Sequence, residues 1–290
     1  MANTHAIKAR IKSVENIRQI TKSMKMVAAS KLRRVQTARG SLALMAEKSR
    51  EILQELTAGE AAAENPFLAA RPEVKQSCYV LFVGNRGLCG VYNSALLHFL
   101  ETEMARGEGA GFVVICGSWG QDIIEPSGLN VRRRFADMSD VPDSKEARQL
   151  SDYLKKLYLA GEADRIVMVY QKYLSVLQQQ PCAEIFLPLQ PPGGEAKAER
   201  ERIFEPDRKS VLDALTELYV SSTIFSAMLE ARMGEHAARM CSMNAAADST
   251  EELMGKLKQA LNHARQAAIT TEISEIVGGA QALSENNGRD

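Results

Sequence analysis

Proline is confined to one stretch of this 290-residue chain, with all nine prolines between Pro66 and Pro206. Twelve of the nineteen glycines fall in the same stretch. Proline cannot sit inside a helix without breaking it, and glycine weakens one, so the proline-free ends predict two long helices around a globular insert. The first carries apolar residues at Ile7, Ile11, Val14, Ile17, Met24, Val27, Leu32, Val35, Leu42, Met45, Leu53 and Leu56. Most steps are three, four or seven, the seam of a coiled coil, with Gly40 as a weak point. The second shows Leu215, Tyr219, Phe225, Leu229, Met233, His236, Met240, Met243 and Ala247, then Leu253, Leu257 and Leu261.

A helix of this length needs a partner face in water. The insert joins the end of the first helix to the start of the second, so the two should run antiparallel. At ~1.5 Å per residue they would measure about 80 and 115 Å, leaving roughly the last twenty residues of the second unpaired. That overhang carries Ile269, Ile273 and Ile276 in a stripe with no intramolecular cover. Either another protein surrounds it, or it frays or folds back on the insert.

Between the helices the pattern is α/β. Strands are expected at 78–83, 112–116 and 165–170, with an edge strand at 184–187. Helices are expected at 92–104, 119–125 and 145–159. Alternation of this kind builds a mostly parallel, Rossmann-like sheet. The expected division is a coiled-coil helix over 1–60, an α/β domain over 75–195 and a second coiled-coil helix with a protruding tip over 207–285. Residues 190–202 read as a surface loop.

The formal net charge is zero, from 36 basic and 36 acidic residues. Residues 1–50 alone hold twelve basic side chains against Glu15 and Glu47. The start of the chain is Arg-rich like a targeting peptide, but the helical pattern runs too far for a cleaved leader. Its basic face could meet nucleic acid, a membrane surface or acidic protein, or simply be solvated. Aromatics are not interleaved with the cations, which weakens the first reading, and the coiled coil already uses the apolar stripe, which weakens the second. Eight of the eleven methionines after Met1 lie on the long helices, as an adaptable contact or ordinary gap-filling would have it.

Gly84-Asn85-Arg86-Gly87-Leu88-Cys89-Gly90 follows the first strand and invites a phosphate-binding reading. The glycines are three apart, with no G-x-G-x-x-G and no Lys-Ser or Lys-Thr, so a structural turn is the better expectation. Cys89 has no activating neighbour in sequence, and the four histidines are solitary without metal-ligand spacing. Five scattered cysteines with no C-x-x-C pair argue against a disulfide framework or zinc site. No catalytic constellation, metal site or cofactor site emerges.

Several stretches resemble the gamma chain of F-type ATP synthases. These are Ile17-Arg18-Gln19-Ile20-Thr21-Lys22-Ser23-Met24-Lys25-Met26, Arg86-Gly87-Leu88-Cys89-Gly90 with Asn93, Glu205-Pro206-Asp207, Glu235-His236-Ala237-Ala238-Arg239-Met240, and Ala264-Arg265-Gln266-Ala267-Ala268-Ile269-Thr270 through Val277-Gly278-Gly279-Ala280. The resemblance spans essentially the whole chain. It implies a non-catalytic rotor shaft on the cytoplasmic face of a bacterial membrane, with three alpha and three beta chains, an epsilon chain and a ring of c subunits as partners. No cofactor, nucleic acid or direct membrane insertion goes with it. Arg265, Gln266, Thr270 and Glu272 would meet the catch loops of the beta chains, with Arg239 near that zone. Met24, Lys22 and Lys25 would face the acidic lever of beta, and Glu205 would lie near the foot on the c ring. Asn85 departs from the family's frequent Asp, Val91-Tyr92 stand where a second Gly is usual, and Asn244 stands where a Lys is common. The inserted cysteine pair of chloroplast members is lacking. An α/β nucleotide-binding enzyme with helical oligomerisation arms is the competing expectation.

Overall fold

The computed structural model describes residues 2–57, 65–69, 71–189, 205 and 207–286. Two helices dominate it, α1 (Ala2–Thr57) and α5 (Arg208–Asn286). Between them lie β1 (Gln76–Phe82), α2 (Tyr92–Arg106), β2 (Ala110–Cys116), a short α3 (Gln121–Ile124), β3 (Val131–Phe135), α4 (Ser144–Leu159), β4 (Arg165–Tyr173) and β5 (Gln179–Leu187). The expected loop over 190–202 lies outside the described residues.

The chain divides into two compact units that cut across the long helices. One comprises Met1–Met26 with Ser242–Asp290, the other Val27–Cys241. In the larger unit, Leu32, Val35 and Leu42 of α1 bury against Leu229, Met233 and Ala237 of α5. Leu53 and Leu56 meet Leu212. Rising numbers on α1 pair with falling numbers on α5, the antiparallel arrangement. The smaller unit shows the same order, with Lys25 Nζ donating to Asn244 Oδ1 at 2.5 Å and Arg18 pairing with Glu251 at 3.3 Å.

The buried line along α1 is Val14, Thr21, Ala28, Val35, Leu42, Ser49 and Leu56, a seven-residue repeat without a slip. A period of seven rather than 7.2 keeps one face toward a partner helix over many turns. Ile17 and Val27, expected in the seam, are exposed instead. The small and polar members Thr21, Ala28 and Ser49 share this line with the larger apolar ones. On α5, Met254 is buried where Leu253 was expected. Gly40 does not interrupt α1, and its Cα faces open space.

Five strands form one sheet in the order β3-β2-β1-β4-β5. β1 runs parallel to β2 and β4, β2 parallel to β3, and β5 returns antiparallel to β4. Buried apolar side chains cover both faces of the central strands, as a parallel sheet requires. Sequence reading missed β3, whose Val131-Arg132-Arg133-Arg134-Phe135 lacks an apolar run. It forms because aromatic faces carry its arginines, with Arg133 stacked over Phe135 and Tyr153 and Arg132 over Phe112. The other edge, β5, contains Pro181. Asp143 caps α4 in a reciprocal capping box with Glu146. Asp207 starts α5 by accepting from the Ser210 amide at 2.9 Å.

Candidate functional site

The sheet order places a topological switch beside β1: the chain leaves β1 for β2 and β3 on one side, then crosses to β4 on the other. In open α/β sheets, the crevice at the carboxyl ends of the strands at such a point is where ligands bind. Here α5 fills it. Gly234 sits where an added Cβ would lie 3.1 Å from the Tyr92 ring and 3.4 Å from the Gln171 carbonyl at the end of β4. Tyr92 donates its hydroxyl to the Ala231 carbonyl at 2.8 Å, and Gln171 donates to the Tyr92 carbonyl at 3.2 Å.

The phosphate position of the turn after β1 holds a carboxylate from the same chain. Glu235 Oε1 accepts from the Asn85 amide at 3.2 Å and from Arg239 Nη2 at 2.6 Å. Its Oε2 accepts from Arg232 Nη1 at 2.5 Å. Gly84 is required by this approach, since a Cβ there would lie 2.9 Å from Glu235 Cδ. The Gly84 amide donates to Asn93 Oδ1 at 2.8 Å. Of the turn's glycines, Gly84 thus serves packing against α5, and Gly90 supplies a positive φ of 60°. The Asn85 amide of the turn is thereby used by this carboxylate, and α5 packs on the turn, which disfavours the enzyme alternative.

The two arginines extend the network. Arg239 donates to the carbonyls of Arg86 at 2.9 Å and Gly87 at 3.3 Å, gripping the turn. Arg232 Nη2 donates to Asn85 Oδ1 at 2.8 Å, while Asn85 Nδ2 donates to the Met138 carbonyl at 2.5 Å. An amide fits this position on both sides; an Asp could accept from Arg232 but could not donate to Met138. Within this turn, Leu88 adopts a positive φ of 60° and is exposed, as is Val91 just after it.

His236 is fully buried, and Nε2 lies 3.0 Å from the Asp140 carbonyl. A carbonyl only accepts and a guanidinium only donates, so His236 is the neutral Nε2–H tautomer with Nδ1 facing Arg239 at 3.4 Å. Burial pushes its pKa down. Burial would raise the Glu235 carboxyl, but Arg232 and Arg239 outweigh it and hold it below the usual carboxylate value. Asp140 pairs with Lys31 of α1 at 2.6 Å, which overcomes its desolvation and lowers its pKa. The Lys31–Asp140 pair is half-exposed and screened by solvent, whereas the Arg232–Glu235 pair is buried, and a buried pair that loses one partner typically costs about 3–5 kcal/mol.

Cys89 is buried beside Asn93, which donates to its sulfur at 3.3 Å, and burial raises its thiol. Burial likewise pushes Cys78 up to about 12 and Cys182 up to about 11. These are packing thiols rather than nucleophiles. Among the described residues, no group of His, Cys, Asp or Glu could hold a metal ion.

The residues assigned by resemblance to partner contacts fall in different surroundings. Lys22 is exposed, Met24 and Lys25 are half-buried, and Lys25 is held by Asn244. Arg265, Gln266, Thr270 and Glu272 are exposed on α5, where Thr270 bonds only back to the Gln266 carbonyl at 3.0 Å. Arg265 and Glu272 line a shallow cleft of about 240 Å³ with Thr4 and Lys8. Glu205 is exposed just before α5. Arg239, grouped by sequence with the tip, belongs to the other compact unit and is buried at 8 % exposure against the 84–90 turn. Sequence reasoning missed Arg232 and the Lys31–Asp140 pair. The available signal for Arg232 was its i, i+3 spacing to Glu235 within a helix segment rich in Ala, Leu and Met.

Long terminal helices packed antiparallel beside a five-stranded α/β sheet, with the sheet's ligand crevice closed by the chain's own helix, define a scaffold class rather than a nucleotide enzyme. The family model described as ATP synthase matches residues 3–283. The "ATP synthase gamma chain" of Desulforamulus reducens is 39% identical over 284 residues, 98% of this chain and 100% of that one. That of Prosthecochloris aestuarii is 35% identical over 289 residues, 98% and 99% of the two chains. The chain therefore belongs to the ATP synthase gamma-chain family. A rotor chain of the Euglena gracilis mitochondrial ATP synthase in rotational state 1 aligns with a TM-score of 0.64 at 17% identity, covering 92% of this chain and 99% of that one. A chain of the same organism's OSCP/F1/c-ring assembly in rotational state 3 gives 0.66 at 18%, covering 97% and 95%. At those identities the likeness concerns the fold. No helix among the described residues is long and apolar enough to cross a membrane.

Proposed function

We propose that this chain is the central rotor shaft of an F-type ATP synthase, a non-catalytic subunit that couples ion flow through a membrane ring to ATP synthesis or hydrolysis on beta chains. The observation that carries the reading is the end of α5, where Ile269, Ile273 and Ile276 remain 47%, 56% and 71% exposed on a helix that continues to Asn286. An apolar stripe left open on a slender helix is stable in use only when another protein encloses it.

In this reading the head is a ring of three alpha and three beta chains around the shaft, and epsilon and the c ring meet the α/β domain. The working division is a shaft of residues 1–60 and 207–285 and a foot of residues 75–195. An asymmetric shaft presents a different face to each beta chain, so it favours a different conformation and nucleotide affinity in each. Rotation exchanges those preferences among the three. Arg265, Gln266, Thr270 and Glu272 would touch the beta catch loops. Met24, Lys22 and Lys25 would face an acidic lever, with Glu205 near the c ring. Arg239 would act on that region through the turn it holds. The complex would lie peripherally on the cytoplasmic face of a bacterial membrane, consistent with the bacterial sources of the relatives.

The test is ATPase activity of the chain alone and after reconstitution with alpha and beta chains. The chain alone should be inactive, and the reconstituted complex should hydrolyse ATP with rotation of the shaft. Removing residues 265–290 should impair coupling while leaving the α/β domain folded. Substantial turnover by the isolated chain would overturn the reading.

A further inference from the structure

The network at the 84–90 turn has the composition of an anion-binding site. Two guanidinium groups, Arg232 and Arg239, and one backbone amide, Asn85, converge on a carboxylate from opposite sides. The two cations are three and four residues from Glu235 on either side of it along α5. All three side chains are buried, so water does not screen them. The carboxylate is covalently part of α5, while the amide and the carbonyls of Arg86 and Gly87 belong to the turn after β1. The occupant of the site therefore ties one element to another.

Packing alone would fix the position of α5 against the sheet less firmly. The surrounding contacts from Ala227, Met228, Ala231 and Met233 are apolar and non-directional, so a helix can turn slightly about its axis at low cost. The hydrogen bonds that cross from α5 to the turn are directional and resist that motion: the Asn85 amide to Glu235 at 3.2 Å, Arg232 to Asn85 Oδ1 at 2.8 Å and Arg239 to the Arg86 carbonyl at 2.9 Å. The 2.5 and 2.6 Å bonds from Arg232 and Arg239 to Glu235 lie within α5 and hold those guanidinium groups in place for it. Asn85 adds a second constraint by bonding both Arg232 and the Met138 carbonyl. The site thus acts at one point along the helix, near the carboxyl ends of β1 and β4.

We propose that Glu235 is the internal ligand of a built anion site and serves as a positioning residue that locks α5 rotationally to the α/β domain, so that torque passes between them without slip. The proposal rests on the rotor reading. Glu235 has no contact with reacting atoms and acts only through the register of α5.

The experiment measures the torsional stiffness of the shaft in a complex of three alpha, three beta and this chain. A bead on the α/β domain reports thermal twisting while the head is stalled. Glu235→Ala should increase the twisting amplitude severalfold, and acetate should restore stiffness by occupying the vacated site. Glu235→Gln should also soften the shaft, but acetate should not rescue it, because the side chain still fills the space. Hydrogen exchange at the Asn85 amide in the isolated full chain gives a second readout, faster in Glu235→Ala and slowed again by acetate. Where Glu235→Ala fails to assemble, Asn85→Ala tests the same coupling through a milder loss, with intermediate softening expected. Unchanged stiffness in these variants, or softening that acetate does not reverse in Glu235→Ala, would overturn the lock. Failure of the wild-type complex to rotate would instead defeat the rotor reading.

Discussion

The same helix, α5, lives in two opposite environments. From Ala227 to Ala237 every residue is buried, including the charged Glu230, Arg232 and Glu235. From Glu272 to Gly278 every residue is exposed, including Ile273, Ile276 and Val277. Charged residues share the buried stretch and aliphatic ones share the exposed stretch, against the usual sorting of each. Buried charge is tolerated in the first stretch because each charged group named in the network has a fixed partner. Exposed aliphatic surface in the second has no such compensation within its own compact unit. In the proposed reading, an internal ligand accounts for the charge in the first stretch and an external protein for the open aliphatic surface in the second.

The largest expected effect comes from Arg232→Ala. It leaves Glu235 with one guanidinium instead of two in a buried site, and stability should fall by about 3–5 kcal/mol. Urea unfolding of the isolated chain measures it, and a loss near zero would mean the inner stretch is held by packing alone.

Acid should erode the inner stretch next. His236 has a depressed folded pKa, so below its ordinary 6.5 the unfolded chain takes up a proton that the folded chain refuses. Stability should therefore decline as pH falls from 6.5 toward the lower folded value. Glu235 and Asp140 have carboxyls held below their usual range, so their contribution is present above the unfolded values and disappears as pH falls through the lowered ones. The unfolding midpoint should fall in two limbs, and His236→Gln should abolish the first while sparing the second.

The smallest effect belongs to the outer stretch. Ile273→Ala should change the stability of the isolated chain by no more than about 0.5 kcal/mol, because the side chain is already in water. Its consequence should appear only in the reconstituted complex, as weaker coupling of ATP hydrolysis to rotation. A marked loss of stability in the free chain would show that Ile273 has an intramolecular partner after all.

The long helices and the alternation of strand and helix were legible from proline placement and apolar periodicity, because those signals follow from backbone sterics. The seam of α1 was only partly legible. Thr21, Ala28 and Ser49 sit in it by virtue of size and spacing, which an apolar count overlooks, and Ile17 and Val27 lie outside it despite their hydrophobicity. β3 was invisible because its arginines find aromatic faces only once the fold has formed. The turn at 84–90 was read as structural from its glycine spacing, and the structure packs α5 against it through Glu235. What holds it was not readable, because Asn85 and Glu235 are 150 residues apart in sequence. Resemblance brought forward the Glu235–Met240 stretch without saying what its charges do, and it assigned Arg239 to a contact zone while the structure buries that side chain in the network.

The two edges of the sheet carry a further consequence. A subunit made before its partners are available must survive in solution with both outer strands open to pairing. β3 answers with three consecutive arginines, which would bring like charges together if two copies docked edge to edge. β5 answers with Pro181, which lacks a backbone donor. By these means the free chain should resist forming intermolecular sheets while it waits for assembly, and on β3 the arginines that stack on aromatic faces to hold the strand are the ones that guard its edge.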